Sequence, residues 1–113
     1  MMRVYKILAR AEWEAACAAG RYEGSAVDLK DGFIHLSTAA QAPETARRHF
    51  AGQAGLVVVE LETDDLGPAL KWEPSRGGDL FPHIYGPLDP AKALSVRDAA
   101  LGEDGVPNLG PLT

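Results

Sequence analysis

The sequence predicts a single α+β domain, and three observations carry that prediction. Segments with the 3.6-residue helical period fall early, at residues 10–20 and 38–52, whereas strand-like segments crowd the second half of the chain. The resulting order, β-α-β-α-β-β-β-β, is not the alternating pattern of a doubly wound parallel sheet. The 113 residues, of which 46% are hydrophobic, suit one core, and a chain of this length buries roughly two-thirds of the surface it exposes when unfolded.

Taken in order, "RVYKILA" at residues 3–9 alternates and is β-branched at Val4 and Ile7, which predicts the first strand. In "RAEWEAACAAG" the residues Trp13, Ala16, Cys17 and Gly20 recur at helical spacing after Ala9. Glu12 and Glu14 sit in the first turn, where the helix dipole favours them, and Gly20 is the natural stop. "RYEGSAVDLKDG" reads as a polar connection with turns at Gly24 and at Asp31-Gly32. "FIHLS", residues 33–37, predicts a short strand. A tight turn over residues 38–41 then leads to a second helix over residues 43–51, because Pro43 fits the first helical position and clashes further in. Ala42, Ala46, His49 and Phe50 share one stripe of it.

The continuous apolar run at residues 56–59 of "GLVVVELE" predicts a central strand buried on both faces. "ALKWE" and "KALSVRD" predict further strands. "LFPHIYG" predicts another, which Pro82 confines to an edge or a strand start. The globular domain spans residues 1–100. Residues 101–113 form a Gly/Pro-rich tail, for which two arrangements stand open: laid over the surface by Val106, Leu109 and Leu112, or disordered.

The net charge of −5 and pI near 5.1 repel a phosphate backbone and argue against broad nucleic-acid binding. A local basic pocket for a small phosphorylated ligand stays open at Lys71 and Arg76, or at Arg47 and Arg48. Cys17 is the one cysteine, so no intramolecular disulfide forms, and its alanine-rich setting predicts a small buried residue. Residues 1–8 lack a signal-peptide pattern, and no apolar run approaches the roughly 20 residues that span a bilayer. The expectation is a cytoplasmic protein without membrane association.

The candidate chemistry sits on two strands. Residues two apart on a strand point the same way. Phe33, His35 and Ser37 therefore share one face of "FIHLS", with Ile34 and Leu36 opposite; Phe81, His83 and Tyr85 share one face of "FPHIY", with Ile84 opposite. Each strand presents an aromatic ring, a histidine and a hydroxyl, which are the parts of a small-molecule site: flat walls, and a few polar groups that orient a ligand and exchange protons. The competing reading is a half-exposed polar sheet face. Only pairing of the two strands across one cleft makes a site of them, and the sequence leaves that pairing open.

Other residues add to the list. Glu73 in "KWE" is a candidate carboxylate for catalysis or ribose binding. Arg76 before Gly77-Gly78 is a candidate phosphate contact, and Thr38 either binds an anion at a helix start or caps the helix. His49 reads as a boundary residue. His35, His83, Glu73 and Asp31 include metal-ligand types, but no HxH, HExxH or CxxC spacing is present, so no metal site is expected. No nucleophile-elbow pattern surrounds Ser37.

The blocks "DGFIHLST" followed by Gln41, then "KWE", then "FPHIYG" resemble the small bacterial proteins of the domain-of-unknown-function 952 family. That resemblance implies an ADP-ribosyltransferase-like fold: a mixed, split β-sheet with two N-terminal helices, whose central cleft holds NAD in true transferases. It implies that His35 holds a ribose, that Ser37 and Thr38 follow it as small hydroxyls, and that Tyr85 or Phe81 stacks on a nicotinamide. His83 and Arg76 complete the expected ligand contacts, and Glu73 is the nearest catalytic carboxylate. The expected partner is a small nucleotide-like molecule such as NAD or ADP-ribose. The alternative expectation is a non-catalytic metabolite-binding or interaction module with a vestigial cleft.

Overall fold

The strand predicted to be central is central. β4 (Leu56–Glu62) pairs antiparallel with β1 (Arg3–Ala9) on one side and with β7 (Ser95–Ala99) on the other. β3 (Ser37–Thr38) pairs with the far edge of β1 at Val4 and Tyr5 only, giving a four-stranded sheet in the order β3-β1-β4-β7. A second, three-stranded sheet runs β2-β6-β5, built from β2 (Ile34–His35), β6 (Leu80–Ile84) and β5 (Leu70–Pro74). The structure, a computed structural model, describes residues 2–112; the Arg76 side chain lies outside what is described.

The two-residue period of β1 and β4 divides the interior in two. Val4, Leu8, Val57, Val59 and Leu61 face α1 (Arg10–Ala19), through Trp13 and Ala16, and the second sheet, through Ile34 and Ile84. Tyr5, Ile7, Leu56 and Val58 face α3 (Ala42–His49), through Ala42 and Ala46, and the C-terminal segment, through Leu109. Val106 and Leu112 pack beside Leu109, so the tail lies on this face. At about 25 cal/mol per Å² of apolar surface removed from water, these two layers supply the main drive for folding.

Several expectations need correction. The polar connection contains a third helix, α2 (Ala26–Asp31). Ser25 precedes it, Asp28 at its third position accepts from the Ser25 backbone N–H at 2.9 Å, and Gly32 ends it at φ 88°. That pattern is a capping box with a left-handed stop. "FIHLS" is two strands: the chain leaves the second sheet at Leu36 and joins the first at Ser37. All strand pairings are antiparallel, so the sheets are split but not mixed. α3 begins at Ala42, with Pro43 second, and ends at His49. Cys17 is exposed, on the outer side of the α1 stripe.

Pro82 stands in the middle of β6, the central strand of its sheet. The Pro82 carbonyl accepts from the Leu36 N–H at 3.0 Å. Within a strand the N–H and C=O of one residue point to the same edge, so the donor that Pro82 lacks faces the place where the chain is leaving β2. No bond to β5 is lost, and the edge rule is met locally.

Candidate functional site

The two histidine strands are direct neighbours. β2 pairs with β6 at Ile34–Ile84 and His35–His83. The isoleucines point into the core, 1% and 2% exposed, and the histidines share the opposite face, with ring centroids 5.5 Å apart in an edge-on arrangement. Phe33 stacks on His83 at 4.1 Å and touches His35 at 4.6 Å and Tyr85 at 5.3 Å. The register Lys71–His83 and Glu73–Phe81 places the β5 residues Lys71 and Glu73 on this same face.

Each histidine is tied by Nδ1 to a carboxylate. Asp28, on α2 and 1% exposed, accepts from His35 Nδ1 at 2.6 Å and from the His35 backbone N–H at 3.1 Å. It also accepts from Lys6 Nζ at 2.8 Å, the Ser25 N–H at 2.9 Å and the Tyr22 hydroxyl at 3.3 Å. Burial opposes its charge, but the His35 bond, the Lys6 ammonium and the Ser25 N–H outweigh burial and hold the Asp28 carboxyl well below the usual carboxylate range. Burial also pushes the Lys6 ammonium down, with Asp28 opposing, and it pushes the Tyr22 hydroxyl up. His35 Nε2 lies 3.0 Å from Asp31 Oδ2, so both ring nitrogens face carboxylates. Glu73 Oε1 accepts from His83 Nδ1 at 2.7 Å and from the Tyr85 hydroxyl at 2.8 Å. Those bonds, that from His83 first, lower the Glu73 carboxyl, and the Glu73 bond raises the Tyr85 hydroxyl. With Nδ1–H given to Glu73, a neutral His83 carries its lone pair on Nε2.

A cavity of about 580 Å³ opens beside this pair, within the size range of small-molecule sites. Its spine is the edge of β1: Tyr5, Lys6, Ile7, Leu8 and Ala9 all line it. Successive residues of a strand share a lining only along an edge, and the edge is open because β3 stops pairing at Tyr5. Asp31 and His35, Thr45 and His49 of α3, and Phe81 and His83 complete the lining.

The cavity gathers His35, Ser37, Phe81 and His83 from the residues singled out in the sequence. Ser37 is bonded to Thr45 at 3.0 Å. Thr38, Glu73 and Tyr85 are not in the lining. Thr38 serves the turn into α3: its Oγ1 accepts from the Gln41 N–H at 3.2 Å, and the Gln41 side-chain amide bridges to the Leu80 carbonyl at 2.8 Å. Glu73 stands behind His83 because β5 is the outer strand of its sheet, and Tyr85, just past the end of β6, is bonded to Glu73. The Arg76 side chain falls outside the described residues, although its neighbour Ser75 lines the cavity. His49 is exposed at the cavity wall. Among the described residues, no group of three or more His, Cys, Asp or Glu side chains is arranged to hold a metal ion, and no helix is long and apolar enough to cross a membrane.

The reading from sequence missed Lys6 and Asp28. Both left a signal. Period two places Lys6 between Val4 and Leu8 on a core face, where a lysine needs a carboxylate, and Ser25 with Asp28 three residues on is a capping pattern.

The profile described as "Protein of unknown function (DUF952)" matches residues 7–96. The crystal structure of protein CC0527 from Caulobacter crescentus is similar, with 57% identity, a TM-score of 0.91, and 94% of this chain and 93% of that one covered. The solution NMR structure of CC0527 gives 58% identity, a TM-score of 0.85, and coverage of 95% and 92%. No curated protein matches the chain at a significant level.

Proposed function

We propose that this chain, which belongs to the DUF952 family of proteins of unknown function, binds a small nucleotide-like ligand of the NAD or ADP-ribose type in the cleft between its two sheets. One observation carries the proposal: His35 and His83 are cross-strand partners at the wall of a cavity of about 580 Å³, each held by a carboxylate. A pair of imidazoles anchored by carboxylates at a cavity wall is suited to holding the polar groups that orient a sugar. The apolar walls from Tyr5, Ile7, Phe50 and Phe81 suit a flat ring. The split of the sheets beside an open strand edge accords with an ADP-ribosyltransferase-like architecture, in which such a cleft holds NAD.

Transfer chemistry of that kind needs a carboxylate near the reacting sugar carbon. Glu73, the candidate, reaches the cavity through His83, so its role here is to position that ring. This arrangement favours a second reading, a binding module that returns its ligand unchanged. A thermal-shift screen with NAD, ADP-ribose and nucleoside phosphates tests the common premise. Saturation at 100 times Kd stabilises a protein by roughly 2.7 kcal/mol, worth several degrees for a domain this size. The expected result is a shift that His35→Ala removes. A flat response, or equal binding by the variant, overturns the proposal. Long incubation followed by mass analysis of the ligand separates enzyme from module.

A further inference from the structure

We infer that Asp31 rather than His35 is the group that meets the ligand, accepting hydrogen bonds from the hydroxyls of its sugar, while His35 is a positioning residue. The inference rests on the ligand-binding reading above and names the contact that reading needs.

His35 has little left to offer a ligand. Its Nδ1 is held at 2.6 Å by Asp28, and its Nε2 faces Asp31 at 3.0 Å. Asp28 is fully buried among its other donors and cannot yield its place. A ligand therefore reaches a ring nitrogen of His35 only by displacing Asp31.

Asp31 is differently placed. It is the last residue of α2, the chain turns at Gly32 directly after it with φ 88°, and its side chain is 39% exposed at the cavity wall. Among the described residues, its closest charged neighbour is His35, with Nε2 3.0 Å from Oδ2. A carboxylate with one oxygen beside a histidine and its side chain part-exposed in a cavity wall is placed to meet a ligand, with the histidine as its support.

The surroundings indicate what that carboxylate takes. Glu12 lines the same cavity, and its carboxylate accepts from the hydroxyl of Ser25, which also lines it, at 2.7 Å. The nearby cation, Lys6, is already matched by Asp28. A wall of carboxylate oxygens with its ammonium neutralised accepts from hydroxyl groups and repels a phosphate. The sugar, and not the phosphate, of a nucleotide-like ligand belongs at this end of the cleft.

Calorimetric titration with ADP-ribose of the wild type, Asp31→Ala, Asp31→Asn and His35→Gln tests the assignment. Asp31 is partly exposed and ends its helix, so its variants should fold, which far-ultraviolet circular dichroism checks. The expected result is at least a tenfold loss of affinity in Asp31→Ala and a smaller loss in Asp31→Asn, which keeps a carbonyl acceptor. His35→Gln, whose amide still has an N–H for Asp31, should retain more affinity than Asp31→Ala. Unchanged or tighter binding by Asp31→Ala overturns the inference alone: Asp31 is then a plug over His35, and His35 is the contact. A wild type that binds no ADP-ribose overturns both this inference and the reading beneath it.

Discussion

Lys6 is a lysine in the middle of a core strand, 6% exposed, and it is stable there because Asp28 lies 2.8 Å away. Removing one partner of such a pair costs far more than the pair contributes, because a buried charge is left alone. Asp28→Asn should therefore destabilise the domain by about 3–5 kcal/mol. Lys6→Met should cost less, since Asp28 keeps its bonds from His35, Ser25 and Tyr22. Urea unfolding at neutral pH compares the two, and an equal or larger loss in Lys6→Met would contradict this account. The sign of the pH dependence follows from the lowered Asp28 carboxyl. A group depressed on folding stabilises above its unfolded pKa, about 3.9 for an aspartate, and that stabilisation fades as pH falls through the folded value. Wild-type stability should thus fall below about pH 4 more steeply than that of Asp28→Asn. Cys17 supplies a separate check. Exposed on α1, it should react with a soluble thiol reagent in the native protein without prior unfolding; reaction only on denaturation would return it to the core.

At the scale of elements, α2 is the least conventional. Asp28 is its one buried residue, while Val27 and Leu29 are exposed. The helix is attached to the domain by a polar clasp instead of an apolar stripe. Opening it should therefore require breaking that clasp alone. Amide exchange in residues 26–31 should be faster than global unfolding allows, and Ser25→Ala should speed it further at a cost of about 1 kcal/mol. Exchange of α2 only with the β4 amides would contradict this. The clasp also explains what could be read from sequence. β4 was legible because a run of branched apolar residues admits few alternatives, and α1 because Trp13 and Ala16 repeat at the helical period. α2 was hidden because its hydrophobic residues face solvent and its anchor is a charge. The break of "FIHLS" into two sheets was hidden because side-chain alternation continues through Leu36; what changes there is the backbone partner, from β6 to β1.

At the scale of the whole molecule, the cleft exists because two short sheets share a crossover at Leu36 and leave the β1 edge open beyond Tyr5. The residue types at the site were readable; their meeting was not. His35 and His83 lie far apart in the chain, and the alternation of each strand fixes a face without fixing a neighbour. Pro82 pointed away from the true answer, since it argued for an edge while β6 is central, a conflict resolved only by the direction of its carbonyl. The central claim is that the histidine pair belongs to a ligand site. The most direct measurement is the imidazole nitrogen–proton spectrum of the protein, which carries three histidines, during titration with ADP-ribose. The account predicts that the His35 and His83 signals move together and saturate along one binding curve. Saturable binding that leaves both signals in place, or no binding at millimolar ligand, would contradict it.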